Sequence, residues 1–586
     1  MHVHARGAVA AATAEQRAQA AHVHILRDTW GVPHIYGKSD ADAAFGLAYA
    51  HAEDDWPTIQ KVLAAARGRL SLIVLSKGAV LADYFAALMR VGELVDEQYP
   101  RLAPDTRALL EAYARGLTFY AALHPSEADA RLLPVTGKDI AAGFVEKMPF
   151  LLNVPDVLGA LNAGHAPSKG GNSSGSNGHA LAAFRSTDGK TRLNVNSHQP
   201  WEGPVAWYEA QVVSEEGWNM TGGLFPGSPV VLHGHNDKLG WAHTVNAPSL
   251  VDVYQLTVRA QAGDGREYLL DGKWLPLDAR AAAIEIDLGL FTLTVHRTVL
   301  QSAHGPVLET KRGFFAIRYA GRERSAQSVE QWYRMDKARS LAEWKAAMEL
   351  QAIPMFNAVY ADGESNVFYI YNALLPVRTS TQGDSSAAIW TQYKPFAELP
   401  QVLNPSSGSV FNCNTSPFAA TAGAGNPRPE SFSAADGIEH TMNNRGLRSL
   451  ELLGGERKLS RADFEAMKFD RTYARASHLF AEVIDPLLAG SPRGSEAERR
   501  GVELLRAWNG EASEESPAAA LAILTAEPTE PAEPTGPIGD PFAKAVQRLL
   551  GAARWICRSA AAPTCSTPRS PAWTASTWWA NRATRW

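Results

Sequence analysis

The clearest chemical signature in this sequence belongs to Ser176, set in the run Lys169-Gly-Gly-Asn-Ser-Ser-Gly-Ser-Asn-Gly-His179. A serine hydroxyl attacks a carbonyl only when a base takes its proton, and most serine nucleophiles borrow a histidine for this. An α-amine on the same serine can do that work. Its reference pKa is about 7.7–8.0, so much of it is neutral near physiological pH. Such an amine exists only if the chain is cut before the serine. Gly175 suits that cut, because a residue without Cβ tolerates the strained backbone by which the hydroxyl reaches its own preceding carbonyl. The expectation is scission between Gly175 and Ser176. Taken alone, the run also reads as a Ser/Gly surface loop, so the decision falls to the sequence around it.

Two neighbouring features bear on it. Residues 162–175 are rich in Gly, Ser, Asn and Pro and read as an exposed linker or spacer ending at the cleavage site. Within them, Gly171-Asn-Ser173-Ser-Gly175 fits the Gly-x-Ser-x-Gly nucleophile elbow. That elbow needs a strand before it and a helix after it. Ala163-Gly-His-Ala-Pro-Ser-Lys-Gly170 is no strand and Ser176-Asn-Gly is no helix, so the elbow is set aside.

Downstream, Thr191-Arg-Leu-Asn-Val-Asn196 leads into Ser197-His198-Gln-Pro-Trp201; then come Gly227-Ser-Pro-Val-Val231 with Gly234-His-Asn236, and Trp241-Ala-His-Thr-Val245. Further on stands Val410-Phe-Asn-Cys-Asn-Thr-Ser-Pro417, followed by Asn443-Asn-Arg445. In order and in spacing from Ser176, these blocks resemble the penicillin acylase family of N-terminal-nucleophile amidohydrolases, and within it the acyl-homoserine lactone acylase branch. The likeness runs from about Val23 to about residue 455.

That resemblance implies an α+β fold, an αββα sandwich with a mainly helical α chain wrapped on it. It implies hydrolysis of N-acyl amides through an acyl-serine, with acyl-homoserine lactones favoured and β-lactam or cyclic lipopeptide amides as alternatives. The α and β chains would stay together as a heterodimer after the cut. By position, His198 would hold the Ser176 amine, the Val245 N–H and the Asn414 side chain would receive the oxyanion, and Arg445 would tune the field around Asn414. Trp201 and Phe225 would wall the acyl pocket. Gln199 departs from the phenylalanine that lactone acylases tend to carry, so acyl length is not inherited. No cofactor is needed for the chemistry. A structural calcium is implied, with Glu146, Asp252 and Asp436 as its ligands. Relatives are often periplasmic or secreted.

The elements that must position these residues are legible in part. Val23 to Tyr36 alternates around a Gly-Val-Pro turn and predicts a hairpin; Asp40 to Ala66 has helical spacing. His34 and His51 are expected as packed histidines rather than metal ligands. From Ala180 to Val253, and on through residues 283–288, 291–297 and 314–319, alternating segments predict one stacked sheet. Ser340-Leu-Ala-Glu343 opens a helix as a capping box, and Asp362-Gly turns a hairpin over 357–370. The predicted division is 1–20, an N-terminal segment; 21–161, the α-chain region; 162–175, the spacer; 176–510, the β-chain core; 511–550, a Pro/Glu-rich linker and helix; and 551–586, an anomalous tail.

With 586 residues and a net charge of −5, the chain offers no basic stripe for a nucleic acid. No run of about 18 apolar residues suggests a membrane span. Three cysteines give neither a disulfide framework nor metal spacing. The N-terminus shows no clear signal peptide. After Asp540 there is no acidic residue, and Trp555, Trp573, Trp578, Trp579 and Trp586 stand among Arg, Ser, Thr and Pro. This composition predicts a frameshifted or truncated end. The competing reading is therefore an unprocessed, inactive relic of the family.

Overall fold

The computed structural model describes residues 8–166, 175–261, 265–490 and 495–526. The anomalous tail, the Pro/Glu tract beyond Ala526 and most of the spacer, including the elbow serine Ser173, lie outside the described residues.

Ser176–Leu181 is the middle strand of a three-stranded antiparallel sheet, between Arg192–Ser197 and Ser409–Asn412. It lies against a nine-stranded sheet ordered Val23–Arg27, Pro33–Gly37, Tyr208–Ser214, Asn219–Leu224, His233–His235, Leu239–Thr244, Asn357–Asp362, Val367–Tyr371 and Gln401–Leu403. Only Pro33–Gly37 and Tyr208–Ser214 pair in parallel within it.

The period of two along Leu239–Thr244 sorts its side chains between layers. Ala242 and Thr244 face the small sheet. A Cβ on Gly178 would stand 3.1 Å from Ala242 and 3.2 Å from Val359, so the sheets close up through a missing side chain. Trp241 and His243 face the other way, meeting Trp344 and Trp332 of the helices Leu341–Met348 and Ser328–Lys337. Asp40–Ala66 and Gly137–Leu151 belong to the same helical layer. On the far side of the small sheet, Asn444–Leu453 and Arg461–Lys468 pack through Leu181, Phe411, Leu453 and Phe464. Helix, sheet, sheet, helix is the αββα order that the resemblance implies. Trp241 and Trp344 are fully buried, and truncating either to alanine would cost about 3–5 kcal/mol.

The hairpin forms as expected, from Val23–Arg27 and Pro33–Gly37. The helix Asp40–Ala66 is capped reciprocally by Ser39 and Asp42 (3.1 and 3.2 Å) and kinks at Asp55 (φ −148°, ψ 51°), two residues before Pro57. Ser340 caps its helix, but the Glu343 carboxylate accepts the Arg339 N–H (2.8 Å) instead of closing the box. His34 bonds Gln211 and buried His51 stacks on Tyr208 at 3.8 Å, both as packed side chains.

One expectation fails. Residues 278–287, 292–302, 305–310 and 313–319 do not extend the stack; with Val251–Leu256 they form a separate five-stranded antiparallel sheet. Alternation reveals a half-buried strand but not which sheet it joins. Pro517–Ala526 is a helix that packs with Leu479, Phe480, Ile484 and Leu505 in a cluster of its own; the rest of the region 511–550 beyond it lies outside the described residues.

Candidate active site

The Gly175–Ser176 peptide bond is intact, and its atoms are held on both sides. The Gly175 carbonyl oxygen accepts the His198 N–H at 3.0 Å and the Ser176 hydroxyl at 2.7 Å. The Ser176 N–H donates to Asn414 Oδ1 at 2.6 Å. Ser176 itself is 2% exposed at the head of its strand.

Asn414 is the hub. Its Oδ1 also accepts Arg445 Nη2–H (2.9 Å), while its Nδ2–H donates to the Val245 carbonyl (2.7 Å). Two donors on the oxygen and a carbonyl under the nitrogen fix the amide orientation. Nδ2 keeps its second hydrogen, and the Val245 N–H makes no hydrogen bond among the described residues. Asn414 adopts φ +58°, a left-handed turn that asparagine tolerates. The turn is set from below by buried Asn412, whose Oδ1 accepts the Asn414 N–H (2.8 Å), Thr244 Oγ1–H (2.5 Å) and Asn357 Nδ2–H (3.1 Å).

Arg445 donates to the Ser176 carbonyl (2.5 Å), Asn177 Oδ1 (2.7 Å) and Asn414 Oδ1, and pairs with no carboxylate among the described residues. Burial pulls its pKa below the ordinary arginine range. Its helix starts at Asn443, whose Oδ1 caps the Gly446 N–H (3.0 Å) and whose Nδ2 reaches the Cys413 carbonyl (2.8 Å). Cap and asparagine turn are thereby tied together.

A cavity opens beside Ser176, bounded by Phe144, Lys147, Met148, Trp207, Phe225, Val245, Trp332 and Phe356, with Gln199 also on its lining. The cavity is narrow, about 50 Å³, and opens to solvent at its mouth. Trp207 stacks on Phe225 at 4.5 Å and donates its indole N–H to the Ser197 carbonyl at 2.8 Å. Trp332 Nε1–H donates to His243 Nε2 (3.3 Å), and His243 Nδ1 meets the Asn357 carbonyl (3.2 Å). Burial lowers the His243 pKa to about 4, so this wall is uncharged.

A profile of the penicillin amidase family matches residues 22–585. The chain belongs to that family. It is 27% identical to the acyl-homoserine lactone acylase PvdQ of Pseudomonas putida over 83% of this chain and 70% of that protein. The acyl-homoserine lactone acylase QuiP of Pseudomonas aeruginosa is 24% identical over 86% of this chain and 67% of its own length. Aculeacin-A acylase of Actinoplanes utahensis is 24% identical over 68% of this chain and 56% of its own length.

For this penicillin amidase family member, the structure gathers Ser176, Val245, Asn414 and Arg445 around one bond. His198 is there too, beside Gly175. Asn414 holds the Ser176 nitrogen, and the His198 ring lies against Gly175, where a Cβ would fall 2.7 Å from its Nδ1. Burial, reinforced by Arg445, lowers the His198 pKa. Gly175 is thus required for close approach; its φ is not positive. Phe225 and Gln199 line the cavity, whereas Trp201 is 97% exposed on a neighbouring surface depression with His51 and Asp55, so the pocket-wall assignment fails for it. Trp207, six residues on, lines the cavity instead. Asn412, Asn443 and Trp207 escaped the sequence reading, though repeated asparagines in otherwise apolar blocks were a usable signal.

The calcium set does not fit. Asp252 accepts Arg378 (2.8 and 3.2 Å) and Trp390 Nε1–H (2.7 Å); Asp436 accepts Lys394 (2.6 Å) and the Ser433 N–H (3.1 Å). A cation already neutralises each carboxylate. Glu146 joins neither, and no group of three or more His, Cys, Asp or Glu side chains able to hold a metal occurs among the described residues. No described helix is long and apolar enough to cross a membrane.

Proposed function

We propose that this chain cuts itself before Ser176 and then hydrolyses N-acyl amides through an acyl-serine. The observation that carries this reading is the grip on one peptide bond: the His198 backbone N–H on the Gly175 oxygen, the Ser176 hydroxyl poised on the same carbonyl, and Asn414 Oδ1 on the Ser176 nitrogen. Hydrogen bonds to a carbonyl oxygen favour the charge that develops there on attack.

In the first reaction Ser176 Oγ bonds the Gly175 carbonyl carbon, the C–N bond breaks, and the hydroxyl proton passes to the departing nitrogen. Water then hydrolyses the ester, leaving a Gly175 carboxylate and a free Ser176 amine. In the second, the amine takes the Oγ proton, directly or through a water, as Oγ attacks the acyl carbonyl of a substrate. The proton passes on to the leaving amine, and water releases the acid. The Val245 N–H and the second Asn414 N–H are the unspent donors for the oxyanion, and one such donor is worth about 2.7–4 kcal/mol of barrier. The apolar cavity takes the acyl group. Acyl-homoserine lactones and aculeacin A, which the names of the relatives carry, are the substrates to assay first. The two pieces remain a heterodimer, because the strands Val23–Arg27 and Pro33–Gly37 of the first lie in the sheet of the second.

Mass spectrometry and Edman degradation of the purified protein test this. A large fragment beginning Ser-Asn-Gly-His is expected, with Ser176→Ala remaining one chain. Hydrolysis by protein that is wholly uncut would overturn the reading.

A further inference from the structure

The helix Gly137–Leu151 turns Gly143, Phe144, Lys147, Met148 and Leu151 toward the cavity beside Ser176. These positions fall at i, i+1, i+4, i+5 and i+8, one helical stripe, where the period calls for apolar residues throughout. Lys147 breaks it. Its Nζ lies back over Gly143, 3.8 Å from the position of a Cβ there.

Among the described residues the ammonium makes no hydrogen bond and no ion pair. The opposing charge that acts on it is Glu146, next in the chain and beyond ion-pair distance, as expected for adjacent helical residues that face apart. A cation set among apolar side chains without a partner is costly, and an arriving anion relieves that cost.

We propose that Lys147 sets the specificity of this cavity, and that the acyl group it takes ends in a carboxylate, as in the monoamide of a dicarboxylic acid. The carboxylate supplies the ion pair that Lys147 lacks, while the methylene chain lies along Phe144, Met148, Trp332 and Phe356. This rests on the reading of the cavity as the acyl site. A carboxylate on the departing amine is the other source of the same chemistry, and the position of Lys147 within the apolar lining favours the acyl end.

The test compares adipoyl and heptanoyl p-nitroanilides on the processed protein, with N-heptanoylglutamate carrying its carboxylates on the amine instead. The expected kcat/KM favours adipoyl over heptanoyl by about tenfold or more, the worth of one charge-assisted hydrogen bond. Lys147→Met inverts that ratio. If Lys147→Met depresses only N-heptanoylglutamate, the acyl assignment is overturned. A second arm needs no turnover: adipate and heptanoate are titrated against the fluorescence of Trp207 and Trp332 in the cavity wall. Adipate is expected to bind about tenfold tighter, and Lys147→Met to abolish the difference. Adipate binding no tighter than heptanoate overturns the Lys147 proposal whatever the activity. Tighter adipate binding in a protein that cleaves no amide overturns the function reading alone.

Discussion

The side-chain oxygen of Asn414 holds the backbone nitrogen of Ser176 at 2.6 Å, 238 residues away in sequence, while the amide nitrogen of the same side chain is anchored on the Val245 carbonyl. One residue therefore faces the nucleophile with an acceptor and faces the oxyanion position with a donor. On the proposed function the two halves of the amide serve different reactions, and a substitution that keeps only one half separates them.

Asn414→Asp keeps the acceptor for the Ser176 nitrogen and gains an ion pair with Arg445, but loses both N–H donors. The Gly175 carbonyl draws its hydrogen bond from the His198 backbone N–H instead, so self-cleavage is expected to proceed. Turnover of an N-acyl amide is expected to fall about 100- to 1,000-fold, the loss of one oxyanion donor. Gel densitometry and steady-state kinetics on one preparation measure the two. Equal losses in both steps would show that the donors are shared.

Gly175→Ala places a Cβ 2.7 Å from His198 Nδ1 and 3.3 Å from Arg445 Nη2. Real Cβ atoms do not sit that close, so either the ring or the scissile bond must move. Processing is expected to slow at least tenfold, and the double variant Gly175→Ala/His198→Ala to recover most of it. If the double variant is no faster than the single one, glycine is needed for backbone conformation and not for room.

Why the sequence disclosed Ser176 and its neighbours but not their setting follows from where each kind of information resides. Ser176, Asn414 and Arg445 sit in short blocks with distinctive residue types, and the local patterns of the hairpin and of Asp40–Ala66 were enough for their elements. The cavity, by contrast, joins Phe144 and Lys147 from a helix before Ser176 to Trp332 and Phe356 far beyond it, and no local pattern reports that juxtaposition. Trp201 misled because exposure depends on the tertiary path of its loop. Asp252 and Asp436 misled because a carboxylate awaiting calcium and one already paired with Arg378 or Lys394 look identical in one dimension.

Asp252→Ala separates those last two roles. Arg378 is 12% exposed at its side chain and would be left without its carboxylate, as Trp390 Nε1–H would be without its acceptor. Removing one partner of a buried pair costs about 3–5 kcal/mol, and the partial exposure here reduces that to about 2. A fall in Tm of several degrees is expected, the same with calcium or with chelator present. A wild-type Tm that drops on chelation to the level of Asp252→Ala would restore the metal assignment.

His51 gives the pH dependence its cleanest probe. The ring is 1% exposed, stacked on Tyr208 at 3.8 Å, and burial lowers its pKa from 6.5 to about 3. The unfolded chain therefore binds a proton at this site below about pH 6.5 that the folded chain refuses. With more protons bound in the unfolded state, stability rises with pH; the contribution is intact above 6.5 and is lost as pH falls toward 3. The loss is about 1.4 kcal/mol per pH unit, hence up to about 2 kcal/mol at pH 5. His179, His233 and His243, lowered to about 4, 3 and 4, slope the same way, while buried Asp336, raised well above 3.8, slopes against them. The total curve mixes these signs, so the difference between two proteins is the quantity to read. His51→Phe keeps a ring on Tyr208 and removes the titration. Urea unfolding of both from pH 7.5 to 5 is expected to give curves that diverge below 6.5, with the variant gaining on the wild type by about 2 kcal/mol. Parallel curves would mean that the His51 ring takes up its proton inside the fold, which its stacked and buried position forbids.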